Sequence, residues 1–175
     1  LMKYLKILLI SLSCLWLTGC GPDPKAYLGE NIAMWNTTIS DIENMITQIS
    51  SNDSREFLAD YNDNVLRHKK GVQNRLKIWH EMEEKKGVPD DARDLQNATY
   101  QYLEQVIKSD ESLEALTVLA GDKNIKDDEF QIKKEQLSQS FEEISQQADV
   151  LSKEQEKFAK AHNIEITIAR WSAYH

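Results

Sequence analysis

Histidines and carboxylates are the side chains of this chain that could bind a metal ion, and their spacing decides which kinds of metal site are possible. The stretch from His80 to Glu84 begins like the zinc-protease motif His-Glu-x-x-His, but Glu84 stands where that motif needs its second histidine. None of His68, His80 and His162 follows a glutamate by three positions, so the Glu-x-x-His pairs of di-iron bundles are absent too. His80 with Glu83 and Glu84 is the best local alternative for a single metal ion. The sequence predicts no metal and no cofactor.

Nucleophilic catalysis would need a serine or cysteine beside a histidine and an orienting acid. The chain has two cysteines, Cys14 and Cys20, and no Gly-x-Ser-x-Gly turn. Its 6 glycines do not form a phosphate-binding loop. With 21 Lys+Arg against 29 Asp+Glu, the net charge is −8, which argues against nucleic acid as a partner because phosphates require a basic face. We therefore predict a protein that is not an enzyme and has no catalytic residue.

The first twenty residues have the layout of an export signal. Lys3 and Lys6 precede an apolar run from Ile7 to Leu17. That run is too short to cross a bilayer, because a spanning helix needs about 20 apolar residues. It ends in an aliphatic residue, two small residues and a cysteine, Leu17-Thr18-Gly19-Cys20. This arrangement resembles the lipobox of bacterial lipoprotein precursors.

The resemblance implies a processing route. In that family the cysteine matching Cys20 receives a diacylglyceryl thioether, the signal is cut between the residues matching Gly19 and Cys20, and the new amine is usually acylated. Two or three acyl chains give stable membrane anchoring, whereas one is marginal. The implied organisation is a signal peptide over 1–19, a lipidated cysteine with its spacer over 20–29, and a helical domain over 30–175.

The residue after the lipidated cysteine bears on the membrane in which the protein would reside. In the family an Asp at that position often signals retention in the inner membrane of Gram-negative cells, and here the position holds Gly21. The resemblance therefore implies the periplasmic face of the outer membrane in a Gram-negative host. In a Gram-positive host it implies the outer face of the cytoplasmic membrane.

The remaining chain divides into four amphipathic segments, over about residues 26–50, 54–86, 90–120 and 127–162. In the first, apolar residues recur at spacings of 4, 3, 4 and 3, which is a narrow seam on one helix face: Trp35, Ile39, Ile42, Ile46 and Ile49. The breaks between segments are short, and short connections make neighbouring helices antiparallel. The predicted fold is all-α, an elongated antiparallel up-down bundle of three to four long helices with coiled-coil-like packing.

Terminal signals refine these bounds. Asp53 with Glu56 resembles a capping box at the start of the second segment. Gly87, followed by Pro89, is suited to the position just after that helix. After Asn163 we expect a bent continuation or a separate short helix that packs back on the bundle.

Three tryptophans are candidates for an interaction surface. Trp35, Trp79 and Trp171 are either packed in the core or part of an aromatic patch where a partner docks. If the first two segments are antiparallel, Trp35 and Trp79 lie at the same, membrane-proximal end.

Taken together, the sequence predicts a lipid-anchored, non-enzymatic cell-envelope protein that binds another protein or an envelope component. An immunity or exclusion lipoprotein would be one version of this class. A first alternative is a small-ligand or metal-binding bundle, which a cavity lined by polar groups would favour. A second, weaker alternative is an envelope enzyme, which a cleft with converging titratable groups of shifted pKa would favour.

Overall fold

A computed structural model of the protein describes residues 21–167. That part of the chain contains five helices and no strand, which confirms the all-α prediction. They are α1 (Pro24–Ser51), α2 (Arg55–Asp60), α3 (Asn62–Lys86), α4 (Arg93–Gly121) and α5 (Asp127–Ala161). Within the same residues, no helix is both long and apolar enough to traverse a bilayer.

Side-chain contacts along the helices fix their directions. Tyr27 at the start of α1 contacts Glu83 near the end of α3, and Gln48 near the end of α1 contacts Tyr61 just before α3. The two helices are therefore antiparallel. Cross-helix pairs show the same for α3 with α4 and for α4 with α5: Asn62–Thr117, Gln96–Glu83, Lys157–Asp94 and Lys108–Glu143. The long helices thus run up, down, up and down, as the short connections predict.

The two ends of the bundle are closed by different contacts. At one end, Tyr27 packs against Trp79 of α3 and Phe158 of α5. We call this the Pro24 end. At the other, Arg55 donates to the backbone oxygens of Ala120 and Ile125 and so ties the start of α2 to the connection between α4 and α5. We call this the Arg55 end.

The chain enters the bundle earlier than predicted. α1 begins at Pro24, and the Asp23 carboxylate accepts a hydrogen bond from the Lys25 backbone N–H at 3.1 Å as its N-cap. Proline suits the first helical position because its missing N–H would have no partner there. Tyr27 and Leu28 are already core residues. The spacer predicted to reach residue 29 therefore ends at Asp23.

The second predicted segment forms two helices rather than one. Tyr61 separates α2 from α3, and its N–H bonds to the Leu58 oxygen three residues back rather than four. The Tyr61 hydroxyl donates to Gln48 on α1, and its ring packs against Phe57. The cap also differs from the prediction, because Ser54 and not Asp53 accepts the Phe57 N–H. Asp53 instead pairs with Lys134 on α5.

α5 ends in a defined C-terminal motif. Asn163 has a φ of 53°, and the Ile164 N–H donates to the Ala159 oxygen at 2.8 Å. The Asn163 N–H bonds to the Lys160 oxygen, which completes a Schellman motif with asparagine in the left-handed position. Residues 164–167 are not helical, so the predicted continuation is wrong for them. Residues 168–175 lie outside the described part of the chain.

The apolar seam lies in the core as predicted. Trp35, Ile39, Ile42, Ile46 and Ile49 of α1 are all buried, together with the corresponding residues of the other helices. The interior also contains buried polar side chains at positions within this seam, among them Asn31, Asp110 and Gln155. These polar residues define the candidate sites.

Candidate functional site

The predicted docking tryptophans do not form a surface patch in the described structure. Trp35 is 1% exposed and its ring lies 4.9 Å from the Tyr102 ring, while Trp79 is 3% exposed and lies 5.3 Å from the Tyr27 ring. This corrects the docking hypothesis for these two residues, since both rings fill the core. Both rings lie in the half of the bundle nearer the Pro24 end, where they pack against different partners. Trp171, like the predicted lipidation and cleavage residues Gly19 and Cys20, lies outside the described residues.

A polar cleft opens between α1 and α3, in the half of the bundle nearer the Arg55 end. Its volume is about 390 Å³. We call it the His68 cleft, and it is lined by Asp41, Asn44, Met45, Gln48, Tyr61, Asn64, Arg67, His68, Gly71 and Arg75. Small-molecule sites typically measure about 300–1,000 Å³, so the cleft is large enough for a small solute.

A buried acid lies directly behind this cleft. His68 Nδ1 lies 2.7 Å from Asp110 Oδ2, and the Asp110 side chain is 0% exposed. Burial raises the pKa of Asp110, while the hydrogen bond to His68 acts in the opposite direction. The second nitrogen of the histidine, Nε2, is buried without a hydrogen-bond partner among the described residues, as is Asp110 Oδ1. The pair therefore holds the imidazole in one orientation and leaves one polar atom of each side chain without a partner.

Two arginines border the same cleft, and only one of them is ion-paired. Arg75 forms an ion pair with Asp41 through Nη2, while its Nη1 is buried and has no partner within residues 21–167. Arg67 is exposed and forms no ion pair with any described residue. The cleft thus combines one neutralised and one free guanidinium beside the imidazole.

A second polar cluster closes the Pro24 end. The carboxylate of Glu83 is mostly buried and accepts hydrogen bonds from Tyr27 Oη at 2.7 Å, Tyr100 Oη at 2.6 Å and Gln96 Nε2 at 3.0 Å. Burial, followed by the bond to Glu83, raises the pKa values of Tyr27 and Tyr100. The cluster is saturated with donors, so its evident role is to join α1, α3 and α4.

The arrangement around His80 separates the residues of the alternative metal site. His80 Nε2 pairs with Glu84 at 3.4 Å, whereas Glu83 turns into the bundle. His162 pairs instead with Asp91 at 2.8 Å. No group of three or more His, Cys, Asp or Glu side chains suited to a metal ion occurs among residues 21–167.

A third polar network crosses the core itself. Gln155 Nε2 of α5 donates to Asn31 Oδ1 of α1 at 2.7 Å, and Asn31 Nδ2 donates to Thr99 Oγ1 of α4 at 2.8 Å. All three side chains are fully buried. Such a network fixes the axial register of the helices, because a slip would leave several buried polar groups unpaired.

The apolar periodicity of the second segment predicts that His68 lies on the seam, but it does not assign the partner of His68. The available signal was a gap in the third segment's seam between Val106 and Leu113, which Asp110 fills at spacings of 4 and 3. A carboxylate and an imidazole at core positions of adjacent antiparallel helices are candidates for a pair. The periodicity of apolar residues contains no information about the buried nitrogen atoms of His68 and Arg75 that have no hydrogen-bond partner.

The chain matches no family model, and comparisons with curated proteins and with solved structures give no significant match. Its function is therefore inferred from its own residues and their geometry.

Proposed function

We propose that this protein is a lipid-anchored cell-envelope protein that acts as a non-enzymatic binding module. The observation that carries the proposal is the lipobox-like Leu17-Thr18-Gly19-Cys20 directly before a folded bundle. Only Gly21, Pro22 and Asp23 separate Cys20 from the first residue of α1. An acylated Cys20 would hold the Pro24 end close to the lipid surface.

This arrangement gives the bundle a direction. With Cys20 anchored, the Arg55 end and the His68 cleft face away from the membrane, towards other envelope components. Exposed large apolar side chains occur near that end on three helices, at Leu66, Val118 and Ile132. They are the exposed apolar contacts that a protein partner would meet at that end.

Binding is favoured over catalysis by the surroundings of the buried acid–imidazole pair. Within residues 21–167, His68 hydrogen-bonds to Asp110 and to no hydroxyl or thiol group. In a hydrolytic triad, such a nucleophile would be hydrogen-bonded to the other nitrogen of the imidazole.

The anchor is tested by the intact mass of the membrane-extracted protein, wild type beside Cys20→Ser. We expect the wild type to have lost residues 1–19 and gained acyl groups, and the variant to retain the signal without acylation. An unmodified mass of the 175-residue chain in both proteins would contradict the proposal.

The binding role is tested separately by site-specific photo-cross-linking in cells. A cross-linker at Val118 or Ile132 should give a discrete adduct with an envelope protein, and the adduct should diminish with Cys20→Ser. Val150, which is 43% exposed and lies nearer the Pro24 end, is the matched control position. Absence of an adduct at both test positions, or equal adducts at all three, would contradict a module that works through its Arg55 end.

A further inference from the structure

An apolar groove runs between α1 and α3 in the half of the bundle nearer the Pro24 end. It consists of two adjoining cavities of about 440 and 300 Å³, whose walls share Glu30, Met82 and Lys86. We call it the Met82 groove, and its apolar lining includes Ala26, Ala33, Met34, Ile78 and Met82. Ile78 is 54% exposed, and Met34 and Met82 are only partly buried. The apolar surface of the groove is therefore accessible from outside the bundle.

The charged side chains that line the groove all have partners within the protein. Lys86 Nζ lies 2.9 Å from Glu30 Oε1, and this ion pair joins α3 to α1. Arg75 is paired with Asp41, and the Asp23 carboxylate caps the first turn of α1. An ionic ligand would therefore meet no unpartnered charge among the described lining residues, whereas a hydrocarbon chain needs none.

The chain enters the bundle at one end of this groove. Gly21, the residue that follows Cys20, lines the groove together with Pro22. Pro22 lies against the end of α3, since its Cγ would be 2.9 Å from a Cβ added at Gly87. Consecutive Cα atoms are about 3.8 Å apart, so the covalent chain keeps Cys20 within one residue of the groove. A group attached to Cys20 therefore starts at the opening of the groove.

The length of the groove matches that of one acyl chain. Its lining extends along α1 from Ala26 to Thr37, a rise of about 16 Å at about 1.5 Å per residue. An acyl chain spans one leaflet of a bilayer, which is about 15 Å or half of the hydrocarbon core. Methionine suits such a lining, because its flexible side chain adapts to irregular apolar shapes.

We propose that the Met82 groove binds one acyl chain of Cys20 when that chain is outside the bilayer. This role rests on the proposed acylation of Cys20 and extends it. Within a bilayer the chain gains little from the groove, because lipid tails are equally apolar. In water the groove removes methylene groups from contact with solvent, which is favourable in proportion to the apolar area buried. The groove is thus occupied in water and vacant in the membrane.

The groove is tested with the acylated protein as it is extracted from cells that were fed a palmitate analogue carrying a photoreactive diazirine. The protein is diluted from detergent into buffer and illuminated, and the adducts are located by mass spectrometry. ¹⁵N-labelled protein without diazirine is mixed in, so that adducts between molecules are recognised by their mass. We expect adducts within one molecule at Met34, Ile78 and Met82. Adducts mainly on the ¹⁵N-labelled chains, or equally frequent at exposed Val118 and Val150, would overturn the proposal.

Two matched variants decide whether the adducts depend on the groove. Ile78→Asp places a carboxylate in the groove and should lower the adduct yield at Met34 and Met82 about tenfold, because the chain would bury an unpaired charge. Ile132→Asp makes the same change on α5 outside the groove, at a residue that is also 54% exposed, and should change the yield by less than about twofold. Both positions are exposed, so neither variant should unfold the bundle. Equal yields in the two variants would overturn the proposal.

Failure of the anchor is distinguished from failure of the groove. A protein that incorporates no diazirine chain contradicts the acylation of Cys20, and this role with it. An acylated protein without adducts in the groove contradicts only this role. Free palmitate at micromolar concentration should leave the adducts unchanged, because a short tether gives an effective concentration in the millimolar range. Loss of the adducts under that condition would show that the groove prefers a free fatty acid and would overturn the assignment to Cys20.

Discussion

The phenol of Tyr27 donates a hydrogen bond to Glu83 Oε1 at 2.7 Å, which joins the first turn of α1 to the last turn of α3. Tyr100 and Gln96 of α4 donate to the other oxygen of the same carboxylate. One side chain therefore holds three helices together at the end where the chain enters the bundle. If Cys20 is lipidated, this end bears the anchor.

We expect Glu83→Gln to destabilise the fold by about 1–3 kcal/mol, because an amide nitrogen would face donors that now bond to a carboxylate oxygen. Glu84→Gln is the matched control, since Glu84 is largely exposed and should change stability by less than about 0.5 kcal/mol. Urea unfolding followed by circular dichroism measures the difference. Equal midpoints for the two variants would show that the cluster contributes nothing to stability.

We expect Asn31→Ala to cost about 2–4 kcal/mol, because it creates a cavity and leaves Gln155 and Thr99 without their buried partner. Asn44→Ala, at an exposed position of the same helix, provides the comparison. Denaturant midpoints at unchanged slope report the change in stability. A loss of stability no larger than that of Asn44→Ala would show that the network does not determine the register of the helices.

Two glycine substitutions should change the free energy of unfolding in opposite directions. Gly87 has a φ of +80°, and a Cβ there would lie 2.9 Å from Pro22 Cγ, so Gly87→Ala should lower the unfolding free energy by about 1 kcal/mol or more. Gly71 lies within α3, and an added Cβ there would meet open space, so Gly71→Ala should raise the unfolding free energy by about 0.5–1 kcal/mol. Thermal unfolding of both variants beside wild type tests the pair. Shifts of the same sign would contradict the expectation.

Stability should fall at alkaline pH. Burial raises the pKa values of Tyr27, Tyr100 and Tyr102 above their ordinary value, with Glu83 adding to the effect on the first two. The unfolded chain loses its phenol protons near pH 10, while the folded chain retains them. The stability that the three protonated phenols contribute is thus complete below about pH 10. It is lost as the pH rises from there towards their raised pKa values.

The urea midpoint should therefore drop steeply above about pH 10, and phenolate absorbance should rise together with the loss of helix. Tyr27→Phe removes one of the shifted groups and should make the pH dependence shallower. The phenolate absorbance of Tyr27 is the difference between wild type and Tyr27→Phe, and its rise at the ordinary pKa while the helices persist would contradict this prediction.

The sequence alone was sufficient to predict the four helical segments and most of their buried apolar residues. Apolar residues at spacings of 4 and 3, with Gly87 after α3, define where helices run and which face of each is apolar. Such signals are local, because backbone periodicity links residues within one or two turns. Short connections then make an antiparallel bundle the favoured arrangement.

The partners of the polar residues within that seam were decided only by the tertiary structure. His68 meets Asp110 across 42 residues, and Asn31 meets Gln155 across 124. The sequence likewise left open whether Trp35 and Trp79 face a partner or the core. Periodicity assigns a residue to a face of its own helix, but the axial register and rotation of neighbouring helices decide which faces meet. Those quantities depend on packing of the whole bundle, so the His68 cleft and the unpaired buried nitrogen atoms beside it become visible only in three dimensions.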